Sequence, residues 1–118
     1  MATETFLGKI EISPLAVASL ASEAVLGCYG VVGMAPAGSL RDGLVEILQR
    51  EATHRGVEVH VHERGIVVDL YVVVEYGTRI SEVAQNIMDA VRFRLERVIG
   101  MPIAEVNVHV QDLRVSNT

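Results

Sequence analysis

Val57-Glu58-Val59-His60-Val61-His62-Glu63-Arg64-Gly65-Ile66-Val67-Val68-Asp69-Leu70-Tyr71-Val72-Val73-Val74-Glu75-Tyr76 is the stretch on which the fold turns. From Val57 to Glu63 the residues alternate, with Val57, Val59 and Val61 on one side and Glu58, His60 and His62 on the other. A period of two is that of a strand with one dry and one wet face. Arg64-Gly65 supplies a tight turn, so this strand is the first arm of a β-hairpin. The second arm runs from Ile66 to Tyr76. Ile66, Val68, Leu70, Val72, Val74 and Tyr76 share one face, and Val67, Asp69, Tyr71, Val73 and Glu75 share the other. A strand this apolar belongs at the centre of a sheet.

The flanks supply the other elements. Lys9-Ile10-Glu11-Ile12 alternates as a short strand. Ser13-Pro14 then predicts a helix start, with a hydroxyl cap and proline at the first helical position. That helix runs to about Leu26 and stops at Gly27. Only Ser19, Ser22 and Glu23 are polar in it, and their spacing puts them on one face. The remainder is Ala, Val and Leu, so more than one face is expected to be buried. Gly30 to Met34 reads as a short strand or a buried connection. Pro36 to Gly38 is a turn. Ser39 caps a second predicted helix, with Asp42 three residues on, an apolar stripe of Leu40, Leu44, Ile47 and Leu48, and an end at Gly56. After the hairpin, Ser81 caps a last helix running to about Ile99. Its buried stripe is Val83, Ala84, Ile87, Val91, Leu95 and Val98, and Phe93 falls on the wet side. Gly100 stops it, and Pro102 prevents its return. A final strand, Glu105 to Gln111, turns Val106, Val108 and Val110 inward. The order β-α-(β)-α-β-β-α-β predicts an α+β fold. One mixed or antiparallel sheet of four to five strands should carry two to three helices on one face. Residues 1–118 form a single domain with its core at about 8–113.

Composition narrows the function classes. The chain has 118 residues and a net charge of −5; half of it is hydrophobic and 4% aromatic, with twenty Val and no Trp. A domain of this length buries roughly two-thirds of its unfolded surface and needs no disulfide or metal staple. Nine Arg and one Lys are scattered through an acidic chain, without the basic footprint of a nucleic-acid binder. The one cysteine, Cys28, suits a reducing compartment. Met1 to Lys9 has no apolar run, so no signal peptide is expected there. The longest uncharged stretch, Ala24 to Leu40, is too short and too broken by glycine and proline to span a bilayer. A cytoplasmic, aliphatic-cored domain is expected.

Several segments resemble one known family. They are Gly8-Lys9-Ile10-Glu11-Ile12-Ser13-Pro14, Gly30-Val31-Val32-Gly33-Met34, Asp69-Leu70-Tyr71-Val72-Val73-Val74-Glu75-Tyr76-Gly77, Ile80-Ser81-Glu82-Val83-Ala84 and Val106-Asn107-Val108-His109-Val110. In this order, from about Gly8 to Leu113, the chain is similar to the bacterial alkaline shock protein twenty-three family. Ser81 stands where that family usually has Pro, and either residue starts a helix. The resemblance implies a cytoplasmic protein tied to cell-envelope homeostasis and stress. It implies self-association or docking on a membrane-anchored partner, with no catalytic residue and no cofactor to carry over.

Candidate sites come from the face the helices leave open. It gathers Glu11, Glu58, His60, His62, Asp69, Tyr71, Glu75, Glu105, Asn107 and His109. His60 and His62 share a strand face, and His109 joins them if the last strand lies near. Three imidazoles beside a carboxylate have the chemistry to bind zinc or to sense pH. The bland alternative is a solvated polar face, ordinary in a one-sided sheet. Tyr71, Val73 and Glu75 on this face, and Phe93 on the last helix, are candidate partner contacts, since aromatic residues are enriched at interfaces. Sheet edges are a third candidate surface.

Other motifs are set aside. The glycines from Gly27 to Gly33 follow a helix C-terminus, where the dipole repels phosphate. Their Gly-x-x-Gly spacing lacks the cations of an RNA clamp. Cys28 has no base placed beside it by the sequence. The reading is therefore a non-enzymatic interaction domain. Its partners are a second copy, a membrane-anchored protein, or both. Nucleic acid, direct membrane insertion and cofactors are not expected.

Overall fold

The computed structural model describes residues 2–36, 52–54 and 56–115. Among them are β1 (Ala2–Thr5), β2 (Gly8–Glu11), α1 (Pro14–Leu26), β3 (Val31–Met34), β4 (Ala52–His54), β5 (Val57–His62), β6 (Gly65–Glu75), α2 (Ile80–Ile99) and β7 (Ile103–Arg114). β6 is the centre of a five-stranded mixed sheet, as its apolar run predicts. Along one edge it pairs antiparallel with β5 through residues 65–70, and then with β3 through residues 72–74. The other edge pairs parallel with β7, and β4 extends the sheet beyond β5. The turn between β5 and β6 is the residue pair Glu63-Arg64, because His62 already faces Gly65 across the ladder.

Both described helices cover one face. Val17, Ala18, Ala21 and Val25 of α1 and Val83, Ile87, Val91 and Leu95 of α2 are buried against Val57, Val59, Ile66, Val68, Leu70, Val72, Val74, Ile103 and Val106. Ile103 and Val106 both point inward although three apart. A register shift between Ile66 and Val67 places an extra residue, Ala104, on β7 and reverses the alternation there. The first residue of β7 is pinned by α2: Ile103 N–H donates to Glu96 Oε2 at 2.9 Å, and Arg92 donates to the Ile103 carbonyl. Among the described residues, no helix is long and apolar enough to cross a membrane.

Local chemistry explains the ends of the elements. Ser13 Oγ accepts from Leu15 N–H at 3.1 Å, with Pro14 opening α1. Gly100 adopts φ 78°, the left-handed cap that ends α2. Gly30 has φ 88° and is packed so closely that an added Cβ would lie 2.8 Å from Val83 Cγ2. Gly30 is thus the close-packed point of the crossing from α1 to β3, whereas a Cβ at Gly33 would meet open space.

The structure corrects five details. The strand predicted at Lys9 to Ile12 does not join the main sheet. Among the described residues it is β2, paired only with β1 in a separate two-stranded sheet, so Glu11 is absent from the open face. The helix predicted from Ser39 lies outside the described residues, but it cannot reach Gly56, because residues 52–54 form a strand on β5. Ser22 is buried, while Ser19 and Glu23 stay exposed. Arg79, not Ser81, occupies the N-cap of α2 and pairs with Glu82 at 3.2 Å. Val98 is exposed, because the buried stripe Val83, Ile87, Val91, Leu95 steps by four residues and continues to Ile99, which packs on the core.

Candidate functional site

The open face of the main sheet is built by the alternation of β5, β6 and β7. Glu58, Asp69 and Asn107 lie side by side across the three strands, and Tyr71 lies beside His109. Diagonal neighbours on a twisted sheet come within reach of long side chains. Asp69 is the hub: His109 Nε2 is 3.0 Å and Asn107 Nδ2 3.2 Å from its Oδ1, and His60 Nε2 is 3.4 Å from its Oδ2. The Tyr71 hydroxyl donates to Glu58 Oε1 at 2.7 Å, and its ring stacks on His109 with centroids 4.6 Å apart. Glu58, expected on a wet surface, is only 2% exposed. The Tyr71 hydroxyl, lying diagonally across the strand pair, supplies a hydrogen bond that this buried carboxylate needs.

Within this network Asp69 is shared by His60, Asn107 and His109, and Glu58 Oε1 is held by Tyr71. His60 and His109 reach the same carboxylate, whereas His62 does not. His62 faces Gly65 and His109 faces Tyr71, six residues further along β6, a separation of about 20 Å. His62 instead stacks on His60 with centroids 6.4 Å apart. The three imidazoles therefore do not converge, and among the described residues no group of three His, Cys, Asp or Glu side chains is placed to hold a metal. Burial pushes the Cys28 thiol above its ordinary value, and its Sγ lies 3.4 Å from the Ala24 carbonyl as a donor.

The four residues singled out as partner contacts divide between two faces. Tyr71 is half-buried inside the Asp69–Glu58 network. Val73 is 5% exposed, so it offers almost no surface. Glu75 is half-buried, with its backbone N–H bound to the Gly30 carbonyl at 2.8 Å. Phe93 lies on α2, which packs on the other face of the sheet. It is 65% exposed, with the Arg97 guanidinium 5.8 Å from the ring centroid.

Two exposed apolar features escape the sequence reading. The first is the turn of the β1–β2 hairpin, where Phe6 is 102% and Leu7 94% exposed. Thr5 Oγ1 closes that turn, donating to Gly8 O at 2.9 Å and accepting from Gly8 N–H at 3.2 Å. The available signal is Thr-x-x-Gly ahead of the Lys9 to Ile12 alternation. The second is at the far end of the sheet, where Tyr29 and Tyr76 flank the Gly30–Glu75 bond and are both exposed.

Comparison with known proteins gives a family and several relatives. Residues 2–115 match the model of the alkaline shock protein twenty-three family, described as having a cell envelope-related function. The chain is 43% identical over 113 residues to uncharacterized protein YloU of Bacillus subtilis, covering 96% of this chain and 94% of that one. It is 39% identical over 108 residues to uncharacterized protein Spy1614 of Streptococcus pyogenes serotype M6, covering 92% and 89%. It is 34% identical over 98 residues to a stress response regulator gls24 homolog of Streptococcus pyogenes serotype M3, covering 83% of this chain and 52% of that protein. No solved structure matches.

Proposed function

The chain belongs to the alkaline shock protein twenty-three family, a family of cell envelope-related function whose relatives include stress response regulator homologues, and from that premise we propose that it acts by binding rather than by catalysis. It holds to a second copy of itself or to an envelope-associated protein, from the cytoplasmic side. Phe93 is the observation that supports this reading. It is a large aromatic side chain left exposed on a regular helix, with Arg97 ordered against its ring. Aromatic residues and arginine are the residue types enriched at interface hot spots.

The test is site-specific photo-crosslinking in living cells. A photoreactive residue at position 93 should give defined adducts, to this chain or to an envelope protein, and Phe93→Asp in the unlabelled protein should abolish recovery of that same partner while the protein stays folded. The same probe at Arg64, at the turn between β5 and β6, should give none. Adducts equal at both positions, or unchanged partner recovery in Phe93→Asp and Glu75→Lys, would sink the reading.

A further inference from the structure

We propose that the β1–β2 hairpin is a docking arm, and that its Phe6-Leu7 tip seats in an apolar pocket on a second copy of this chain. This rests on the reading of the protein as a contact-making domain and gives one of its contacts a place.

Three observations carry it. First, among the described residues the arm pairs only with itself, and every residue from Glu4 to Glu11 is exposed. A lone two-stranded hairpin is marginally stable in water unless something packs on it. Second, its two-residue turn, normally a site for Asn, Asp or Gly, is occupied by Phe6 and Leu7. Third, the body carries a pocket of about 390 Å³, lined among the described residues by Leu26, Met34, Ala35, Pro36, Ser22 and Gly56. That volume falls in the range, about 300–1,000 Å³, of sites that enclose a small organic group. The lining is almost wholly apolar, matching the tip.

Charge favours a protein occupant over a lipid one. The arm carries Glu4 and Glu11 against the single Lys9. It thus lacks the cluster of basic residues that draws a segment onto an anionic membrane surface. Tip and pocket are different surfaces of one molecule, so the contact is heterologous and propagates head to tail unless a ring closes. A Phe ring contributes about 150–250 Å² and the leucine less. One contact thus falls below the area of a stable dimer, about 1,200 Å² in total, and assembly is expected to be weak and concentration-dependent.

Two variants and their mixture test this by sedimentation velocity on the purified full chain. Phe6→Asn with Leu7→Gly removes the apolar tip while supplying a favoured hairpin turn, so the arm itself is kept. Leu26→Lys places a cation at the pocket rim, at the C-terminal end of α1 where the helix dipole favours it. The wild-type mass should climb through dimer and beyond as concentration rises, and each variant alone should stay monomeric. Their mixture should form one-to-one pairs that do not grow, since it holds one intact tip and one intact pocket per pair. A wild type that stays monomeric at millimolar concentration overturns the proposal. So does a tip variant that assembles like wild type, or a mixture that forms no pairs. Recruitment to neutral or anionic lipid vesicles that needs Phe6 and Leu7, without self-association, assigns the tip to lipid and also overturns it. If assembly fails while crosslinks from position 93 persist, the docking arm falls and the binding reading stands.

Discussion

β5 and β6 are joined through Glu63-Arg64, and β1 and β2 through Phe6-Leu7, both as two-residue turns between antiparallel strands. The chemistry of the two hairpins is inverted. In β5–β6 the turn is charged and the strands carry Val, Ile and Leu into the core. In β1–β2 the turn is apolar and the strands are rich in Thr, Glu and Lys, with Ile10 exposed. Turn geometry is therefore common to both, and the placement of apolar residues decides what each hairpin is for. One fills the protein and shows a polar end to water. The other fills nothing and shows an apolar end.

The strongest way to break that contrast is to shorten one apolar side chain in each hairpin. Leu70, fully buried on β6, leaves a cavity on truncation; Leu70→Ala should cost about 2–5 kcal/mol in urea unfolding. Ile10→Ala should stay within about 0.5 kcal/mol, because that side chain is already in water. Comparable losses at the two positions would mean the arm packs on the body after all.

The next largest effect belongs to the polar side of β6. Tyr71→Phe keeps the ring stack on His109 but removes the hydroxyl from buried Glu58. A loss of about 1–3 kcal/mol is expected, against nearly none for Tyr76→Phe at an exposed position. An unchanged midpoint for Tyr71→Phe would show that the open face is a solvated surface rather than a network.

The joint between the two regions comes third. Ser13 caps α1 immediately after the arm, so Ser13→Ala should cost about 1 kcal/mol. Ser81→Ala should be neutral or slightly stabilising, since Ser81 lies inside α2 and alanine is the better helix former. The reverse ranking would restore Ser81 as the cap.

What can be read from the sequence follows the same division. β5, β6 and β7 are legible because period-two alternation over six or more residues has few competing explanations. α1 is legible because Ser13-Pro14 marks a start and Gly27 a stop. Only half of the arm is legible: Lys9 to Ile12 alternates and reads as a strand, whereas four-residue β1, rich in Thr and Glu, is too short to leave an alternation to detect. Residues 52–54 disappear into a predicted helix for the same reason of length. Alternation also tells which face His60, His62 and His109 occupy, but not their spacing along the sheet. That spacing depends on register, which brings His60 and His109 to Asp69 and leaves His62 at the turn. The burial of Glu58 cannot be read from its own strand, because its hydrogen-bond partner is a tyrosine thirteen residues away.

The smallest effect is the most direct probe of the arm. Amide hydrogen exchange reports opening free energies from near zero at fraying elements up to the global value in core strands. In dilute solution the amides of β1 and β2 should exchange with little protection, and those of Leu70 and Val72, paired to strands on both sides, should exchange through global unfolding. Phe6→Asn with Leu7→Gly should raise protection in the arm, because the turn becomes a favoured one, and should leave β6 unchanged. In wild type, raising the protein concentration should slow exchange in the arm as its tip is occupied. The variant should show no such dependence. An arm as protected as β6 at every concentration would mean that packing already holds it, and its exposed tip would no longer call for a second copy.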